Sequence, residues 1–274
     1  MAASLDSIVA ATRQRLSERG SAERHGSSLR ELERKAEEHI PRGFRKQLRC
    51  VSHDGIAIIA ELKKASPSKG LIRRDFRPLE LAPELEQAGA AALSVLTDEH
   101  FFQGSLEYLR QASSSSTIPC LRKDFIVDEF QILEARARRA DAILLIVAAL
   151  EPKELRALAG VARSHGLDVL CEVHDEQELR RALDAGCDLI GVNSRNLHTF
   201  EVNLETAFRL VEKIPVGCVR VAESGIQSGA DVARLRTAGY DAFLIGESLM
   251  KAERPGKALF QLMEEARQAS ITSR

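Results

Sequence analysis

From Ile56 onward, short apolar runs alternate with amphipathic stretches, and the alternation repeats eight times. The runs are Ile56–Ala60, Ala91–Leu96, Ile118–Leu121, Ala142–Val147, Leu167–Cys171, Leu189–Val192, Cys218–Ala222 and Ala242–Ile245. Each has the length of a strand and is apolar nearly throughout, as a strand buried on both faces must be. Between them lie segments with helical spacing of apolar positions: Leu79–Ala88, Asp128–Arg139, Pro152–His165, Asp175–Asp184, Leu204–Val211 and Ala230–Ala238. Several close on a glycine just before the next strand (AGAAAL, HGLDVL, AGCDLI, AGYDAF). Glycine is the residue expected there, because helices often end in a left-handed residue. Eight strand–helix units predict an α/β fold of the closed (β/α)8, or TIM-barrel, type. The alternative is an open doubly wound sheet, which usually carries GxGxxG after its first strand. That motif is absent. The run Ser113–Ser116 falls between a helix and a strand and reads as a polar loop.

The first fifty or so residues lie outside this rhythm and read as helical. Asp6–Arg19 carries Ile8, Val9, Ala11 and Leu16 among charges, and Leu29–Ile40 is highly charged with Leu32, Ala36 and Ile40 at helical spacing, ended by Pro41. An extension over 1–50 is too small to build its own core. Residues 1–274 therefore read as a single barrel domain with an N-terminal helical extension. No long segment follows the eighth unit, so no fused second enzyme is expected.

Composition narrows the partners. The 39 basic and 40 acidic side chains nearly cancel, so no global field draws in nucleic acid or an anionic membrane. An anionic ligand needs a local cluster of cations instead. The five cysteines form no CxxC pair, and four sit in or beside apolar runs, which reads as reduced core thiols in a reducing compartment. The N-terminus has no apolar stretch of secretory type, and AILLIVAAL is too short to span a bilayer. A cytoplasmic protein is expected.

In such a barrel the chemistry sits at the C-terminal ends of the strands. Glu61 and Lys63 follow the first apolar run, two residues apart and so on one side of an extended chain. Arg122, Lys123, Asp124 and Phe125 follow the third, and Glu172 ends the fifth. Asn193, Ser194, Arg195 and Asn196 end the sixth, and Glu223 and Ser224 end the seventh. The fourth stays apolar. Three carboxylates (Glu61, Glu172, Glu223), two lysines (Lys63, Lys123) and Arg195 are expected to converge on one mouth, the kind of charge cluster acid–base sites need. Ser224-Gly225-Ile226 and Gly246-Glu247-Ser248 stand where barrels often bind phosphate on backbone N–H groups. Glycine there lets the backbone approach an anion. Glu247 is awkward beside a dianion, and its side chain is expected to point away. The seven histidines, His25, His39, His53, His100, His165, His174 and His198, form no HExxH and no metal-ligand cluster; they read as solvated surface residues. No serine sits in a GxSxG elbow.

The strings IAELKKASPSKG, SVLTDEHFFQGS, LRKDFIVDEFQ, ADAILLIVAAL, LCEVH, GVNSRNL, VAESGI and FLIGESLM closely resemble those of the indole-3-glycerol-phosphate synthase family, in the family's order and over about Ile56 to Met250. ELKKASPS with LRKDF is the specific part. Ser194 and Asn196 stand where the family commonly has Asn and Asp, and Glu247 where it often has Ser or Ala. The resemblance implies the substrate 1-(2-carboxyphenylamino)-1-deoxyribulose 5-phosphate, and as products indole-3-glycerol phosphate, carbon dioxide and water, with no cofactor and no metal. It implies Lys123 as the general acid that protonates the sugar carbonyl, Lys63 and Arg195 as holders of the departing carboxylate, and Glu172 as the base, with Glu61 orienting the lysines. It places Asn193, Ser224 and Glu223 among the groups that position substrate. Phe101, Phe102, Phe125 and Leu144 are suited to wrap the aromatic ring, and Ser66 to support the carboxylate.

Two other classes remain open on the residues alone. One is a different reaction on a phosphorylated ligand, such as sugar isomerisation or a Schiff-base aldol reaction at Lys123. The other is a barrel that binds such a ligand without catalysis, for which the cations suffice and Glu172 is superfluous. The sequence names no protein partner.

Overall fold

The computed structural model describes residues 4–18, 26–196 and 201–272. Arg19, His25, Leu197 and His198, each part of a reading above, lie outside the described residues. Eight parallel strands close into a barrel: β1 (Ala57–Leu62), β2 (Ala92–Leu96), β3 (Cys120–Lys123), β4 (Ala142–Ile146), β5 (Asp168–Val173), β6 (Leu189–Asn193), β7 (Val219–Glu223) and β8 (Ala242–Ile245). Neighbours in sequence pair with one another, and β1 closes the ring by pairing with both β2 and β8. All eight strands fall on the predicted apolar runs. Glu172, Asn193 and Glu223 lie in strand ends as expected, and the first and third strands extend two residues further, so that Glu61 and Lys123 lie inside strand ends rather than after them. A strand end is the stiffer support for a reacting group.

Thirteen helices accompany the strands among the described residues: α1 (Leu5–Glu18), α2 (Gly26–Glu37), α3 (Phe44–Asp54), α4 (Pro78–Gln87), α5 (Glu99–Phe102), α6 (Leu106–Ser115), α7 (Glu129–Ala137), α8 (Pro152–Ser164), α9 (Glu176–Asp184), α10 (Glu205–Val211), α11 (Gly229–Thr237), α12 (Glu247–Lys251) and α13 (Pro255–Thr272). One core lies between strands and helices. A second fills the barrel, where Ala57, Ala92, Ala142 and Ala242 leave room for Phe44 and Leu48 of α3. These two are i,i+4 neighbours on one face of α3 and both are fully buried. Burying each contributes about 1.5–3 kcal/mol. The extension thus closes the barrel from below. It is tied there by Asp141, whose carboxylate accepts from Arg42 Nη2 at 2.6 Å and from the Cys120 backbone N–H at 2.6 Å, with His39 Nε2 3.0 Å away. His39 is therefore a buried partner of Asp141 and not the surface residue the sequence suggests.

The serine run is also not a loop. Ser113–Ser115 form the last turn of α6, and the Ser113 hydroxyl donates to the Arg139 carbonyl (2.8 Å) while accepting from Arg42 Nη2 (2.7 Å). The helix-ending glycines behave as expected: Gly89, Gly166, Gly186 and Gly239 all have positive φ. After α7 the same conformation falls on Arg139, at φ 67°, where a β-carbon is strained and the side-chain Nε is buried with no hydrogen-bond partner among the described residues. The left-handed penalty of about 1–2 kcal/mol exceeds the roughly 0.5–1 kcal/mol that a glycine's freedom in the unfolded chain costs. Arg139→Gly is accordingly expected to raise the urea midpoint at unchanged m-value; a lowered midpoint would show that packing of the side chain outweighs the strain.

Candidate active site

The barrel mouth holds two adjoining cavities. One, of about 430 Å3, is polar and lies against the ends of β7 and β8; its lining includes Ser224, Gly225, Gly246, Glu247, Ser248 and Lys251. The other, of about 150 Å3, is mainly apolar and is walled by Phe102, Phe125, Leu144 and Ile146 on the barrel side. Glu61, Lys63, Lys123, Asn193, Arg195 and Ser224 line both and form the wall they share. A ligand that is anionic at one end and aromatic at the other fits this division, with its middle over the lysines.

The shared wall is pre-paired. Lys123 Nζ donates to Glu172 Oε2 at 2.7 Å and to Glu223 Oε2 at 3.0 Å. Burial alone would depress the Lys123 ammonium, but the charges of Glu172, Glu223 and Glu61 outweigh it and its pKa is raised. Glu172 is nearly inaccessible to solvent. Burial pushes its carboxyl up, while Lys123, His174 and the hydrogen bond from Asn193 pull it further down, and the net shift is downward. Glu223 goes the other way: burial first, then Glu172 and Glu61, raise it against the pull of Lys123. Gly191 makes room for Glu223, since a β-carbon there would fall on Oε1, and that oxygen has no hydrogen-bond partner among the described residues. One mouth therefore holds an ammonium fixed in its charged form, one carboxylate held ionised, and one biased toward its protonated form. Carboxyls pushed apart in this way can divide acid and base roles between them.

Local geometry explains how the rest are aimed. Lys63 Nζ lies 2.6 Å from Glu61 Oε2, so the two do share a side as the spacing predicts. The Asn193 amide is oriented from both ends: its Oδ1 accepts the Arg195 backbone N–H (3.0 Å), which turns Nδ2 toward Glu172 Oε1 (3.1 Å). Ser224 and Gly225 are consecutive left-handed residues, at φ 62° and 80°. For serine that conformation is strained, and such strain concentrates at functional loops. The Glu247 carboxylate turns along α12 to Lys251, 2.6 Å away, with Arg195 Nη2 at 4.0 Å.

Some expectations are not met by position. Ser66 sits in a small hairpin formed by Ala65–Ser66 and Gly70–Leu71, and Phe101 sits in α5; neither lines the two cavities, whereas Pro67 and Phe102 do. Arg122 and Asp124, although they flank Lys123 in the sequence, form a buried pair with each other (2.8 Å). Leu5 and Ile8 of α1 complete the apolar cavity, and Arg15 Nη2 pairs with the buried Asp98 (2.9 Å) to hold that helix over the mouth. Ile8 is legible as an apolar helical position, but nothing in the sequence states where its helix docks. Among the described residues, no group of three or more His, Cys, Asp or Glu side chains is arranged to hold a metal ion, and no helix is long and apolar enough to cross a membrane.

Comparison with known proteins follows the same line. Residues 5–262 match the family model described as indole-3-glycerol phosphate synthase. A protein of that name from Koribacter versatilis (strain Ellin345) is 59% identical over 96% of this chain and 100% of its own length. Another from Polaromonas naphthalenivorans (strain CJ2) is 53% identical over 76% of this chain and 80% of its own. Among solved structures, a thiamine phosphate pyrophosphorylase from Pyrococcus furiosus superposes with a TM-score of 0.58 over 78% of this chain and 96% of that one, at 18% identity. That likeness concerns the fold alone.

Proposed function

The chain belongs to the indole-3-glycerol phosphate synthase family, and on that premise we infer that it is a carboxy-lyase of tryptophan biosynthesis. It converts 1-(2-carboxyphenylamino)-1-deoxyribulose 5-phosphate to indole-3-glycerol phosphate, carbon dioxide and water. The observation that carries the assignment of roles is the shared wall, where Lys123 is clamped between Glu172 and Glu223 at the junction of a polar and an apolar cavity. The phosphate belongs in the polar cavity, on the Ser224-Gly225 and Gly246–Ser248 turns. The anthranilate ring belongs in the apolar one, among Phe102, Phe125 and Leu144.

The reacting centre then lies over the lysines. Lys123 donates its proton to the sugar carbonyl oxygen as the ring carbon attacks. Lys63 and Arg195 neutralise the ring carboxylate until it departs as carbon dioxide. Glu172, held ionised, accepts the carbon-bound proton lost in dehydration, while Lys123, reprotonated from solvent, gives the departing hydroxyl the proton with which it leaves as water. Glu61 holds Lys63, and Glu223 holds Lys123 and the substrate's polar end. This chemistry runs on the chain's own acids and bases, and the cytoplasm is its proposed place. Isotope placed in the adduct's carboxylate should leave as carbon dioxide in step with adduct consumption; label retained in the product contradicts the reading.

Two substitutions test the ends of the ligand. Lys63→Ala and Arg195→Ala should each abolish the preference for the carboxylated adduct over an analogue lacking the carboxylate; a preference unchanged in both variants removes them as holders. At the other end, a β-carbon at Gly225 would lie 2.6 Å from Val202 Cγ1 in a conformation side chains avoid. Gly225→Val should raise KM at least ~10-fold and lower kcat as well, since binding of the remote phosphate helps position the reacting end. A crystal with the substrate phosphate bound away from both turns overturns this placement.

A further inference from the structure

His174 is not on the surface. It follows directly on β5, two residues beyond Glu172, and its ring stands between two carboxylates. Nδ1 is 3.0 Å from Glu178 Oε2, and Nε2 is 3.5 Å from Glu172 Oε1. The side chain is only 16% exposed. Glu178 is itself fixed: the same Oε2 accepts the His174 backbone N–H at 2.8 Å, and the Glu178 N–H donates to Asp175, the N-cap of α9, at 2.8 Å. His174 and Glu178 thus form a rigid unit behind the mouth, outside both cavities.

A neutral imidazole carries one N–H, so one of its nitrogens would present a lone pair to a carboxylate. The imidazolium carries an N–H on both nitrogens: Nδ1 bonds to Glu178, while Nε2, which makes no hydrogen bond among the described residues, faces Glu172 Oε1 as a charge at 3.5 Å. Burial works against that charge, but the hydrogen bond to Glu178 and the charges of Glu172, Glu178 and Glu223 outweigh it and raise the His174 pKa. On the front side Glu172 meets Lys123 at Oε2; at Oε1 it meets the neutral amide of Asn193. His174 supplies the charge that Asn193 lacks. The groups facing the pair are Glu178 from α9, Lys123 from β3, Asn193 from β6 and Glu223 from β7, with Glu61 of β1 beyond Lys123.

We propose that His174, held as a cation by Glu178, is a positioning residue that fixes the Oε1 side of the Glu172 carboxylate and keeps it ionised for its role as base. The proposal rests on the reading of Glu172 as the base of the ring closure. It makes the proton affinity of that base depend on a carboxylate, Glu178, that never meets substrate.

The test is the pH profile of kcat for wild type, Glu172→Gln, His174→Gln and Glu178→Gln on the anthranilate adduct. Loss of a neighbouring cation should move the acid limb of kcat in His174→Gln upward by about one unit, the lower end of what one nearby charge does. Along that limb kcat falls about tenfold at a given pH, because one unit leaves a tenth of the carboxylate ionised. KM should stay within about twofold of wild type. Glu178→Gln should shift the limb the same way by less, and it carries the test if His174→Gln does not fold. An unmoved acid limb in the folded variants, or a rise confined to KM, overturns the relay. Near-normal turnover by Glu172→Gln overturns instead the assignment of the base, so the two failures are distinguishable.

Discussion

Replacing Lys123 with Met is expected to lower kcat by at least ~10², the lower range for a general acid, with a much smaller change in KM. The ammonium contacts two buried carboxylates, and their charges hold it protonated. The same surroundings decide between its two possible chemistries. A Schiff base needs a neutral amine, hence a depressed pKa, and Glu172, Glu223 and Glu61 drive the shift the other way. Borohydride added during turnover should therefore leave no substrate attached; a mass increase on Lys123 would overturn the general-acid role. A solvated lysine at a strand end could be replaced with little loss of stability. Lys123 is not such a residue: Lys123→Met leaves Glu172 and Glu223 buried together without their cation. Removing one partner from a buried charge group costs about 3–5 kcal/mol. Both carboxyls then have raised pKa values in the folded variant, so the native state binds more protons than the unfolded one. Stability of the variant should recover as pH falls below neutrality and decline as pH rises through those values.

Glu172→Gln is expected to cost a comparable factor in kcat, about 10² to 10⁴, while preserving shape. Its effect on stability has the opposite dependence on pH. The Glu172 carboxyl lies below its ordinary value, chiefly because Lys123, His174 and Asn193 overcome the cost of burial. In wild type its contribution is fully present above the usual carboxylate range and is lost as pH falls through the depressed folded value. Wild type and Glu172→Gln should therefore converge in stability as the medium is made strongly acidic and differ most near neutrality. A constant difference across that range contradicts the electrostatic account of how Glu172 is held.

Much of the barrel is legible in the sequence for a simple reason. Strands buried on both faces are apolar nearly throughout, and several of the helices that pack on them end in a left-handed glycine, so the runs and the glycines mark those units directly. Arg139 shows the limit of the second signal, since the conformation persists where the glycine does not. α6 is hidden because, beside Leu109, the residues it fully buries are Ala112 and Ser113, one small and one polar, which leave only a weak apolar stripe in the sequence. The carboxylates and lysines of the mouth are legible because polar residues at the ends of apolar strands need a purpose. What surrounds them is set by tertiary docking: Leu5 and Ile8 reach the apolar cavity through the way α1 crosses the mouth, and that crossing depends on Arg15 meeting Asp98. His174 was misleading for the same reason, as a lone histidine acquires meaning only when folding sets Glu172 and Glu178 on either side of it.

The central claim is that this mouth closes an indole ring. Mixing the wild-type protein with the anthranilate–ribulose phosphate adduct and following fluorescence tests it most directly. A steady rise of indole emission is expected, lost in Lys123→Met and in Glu172→Gln. Adduct that binds and is recovered unchanged, or is isomerised or cleaved without indole emission, would contradict it.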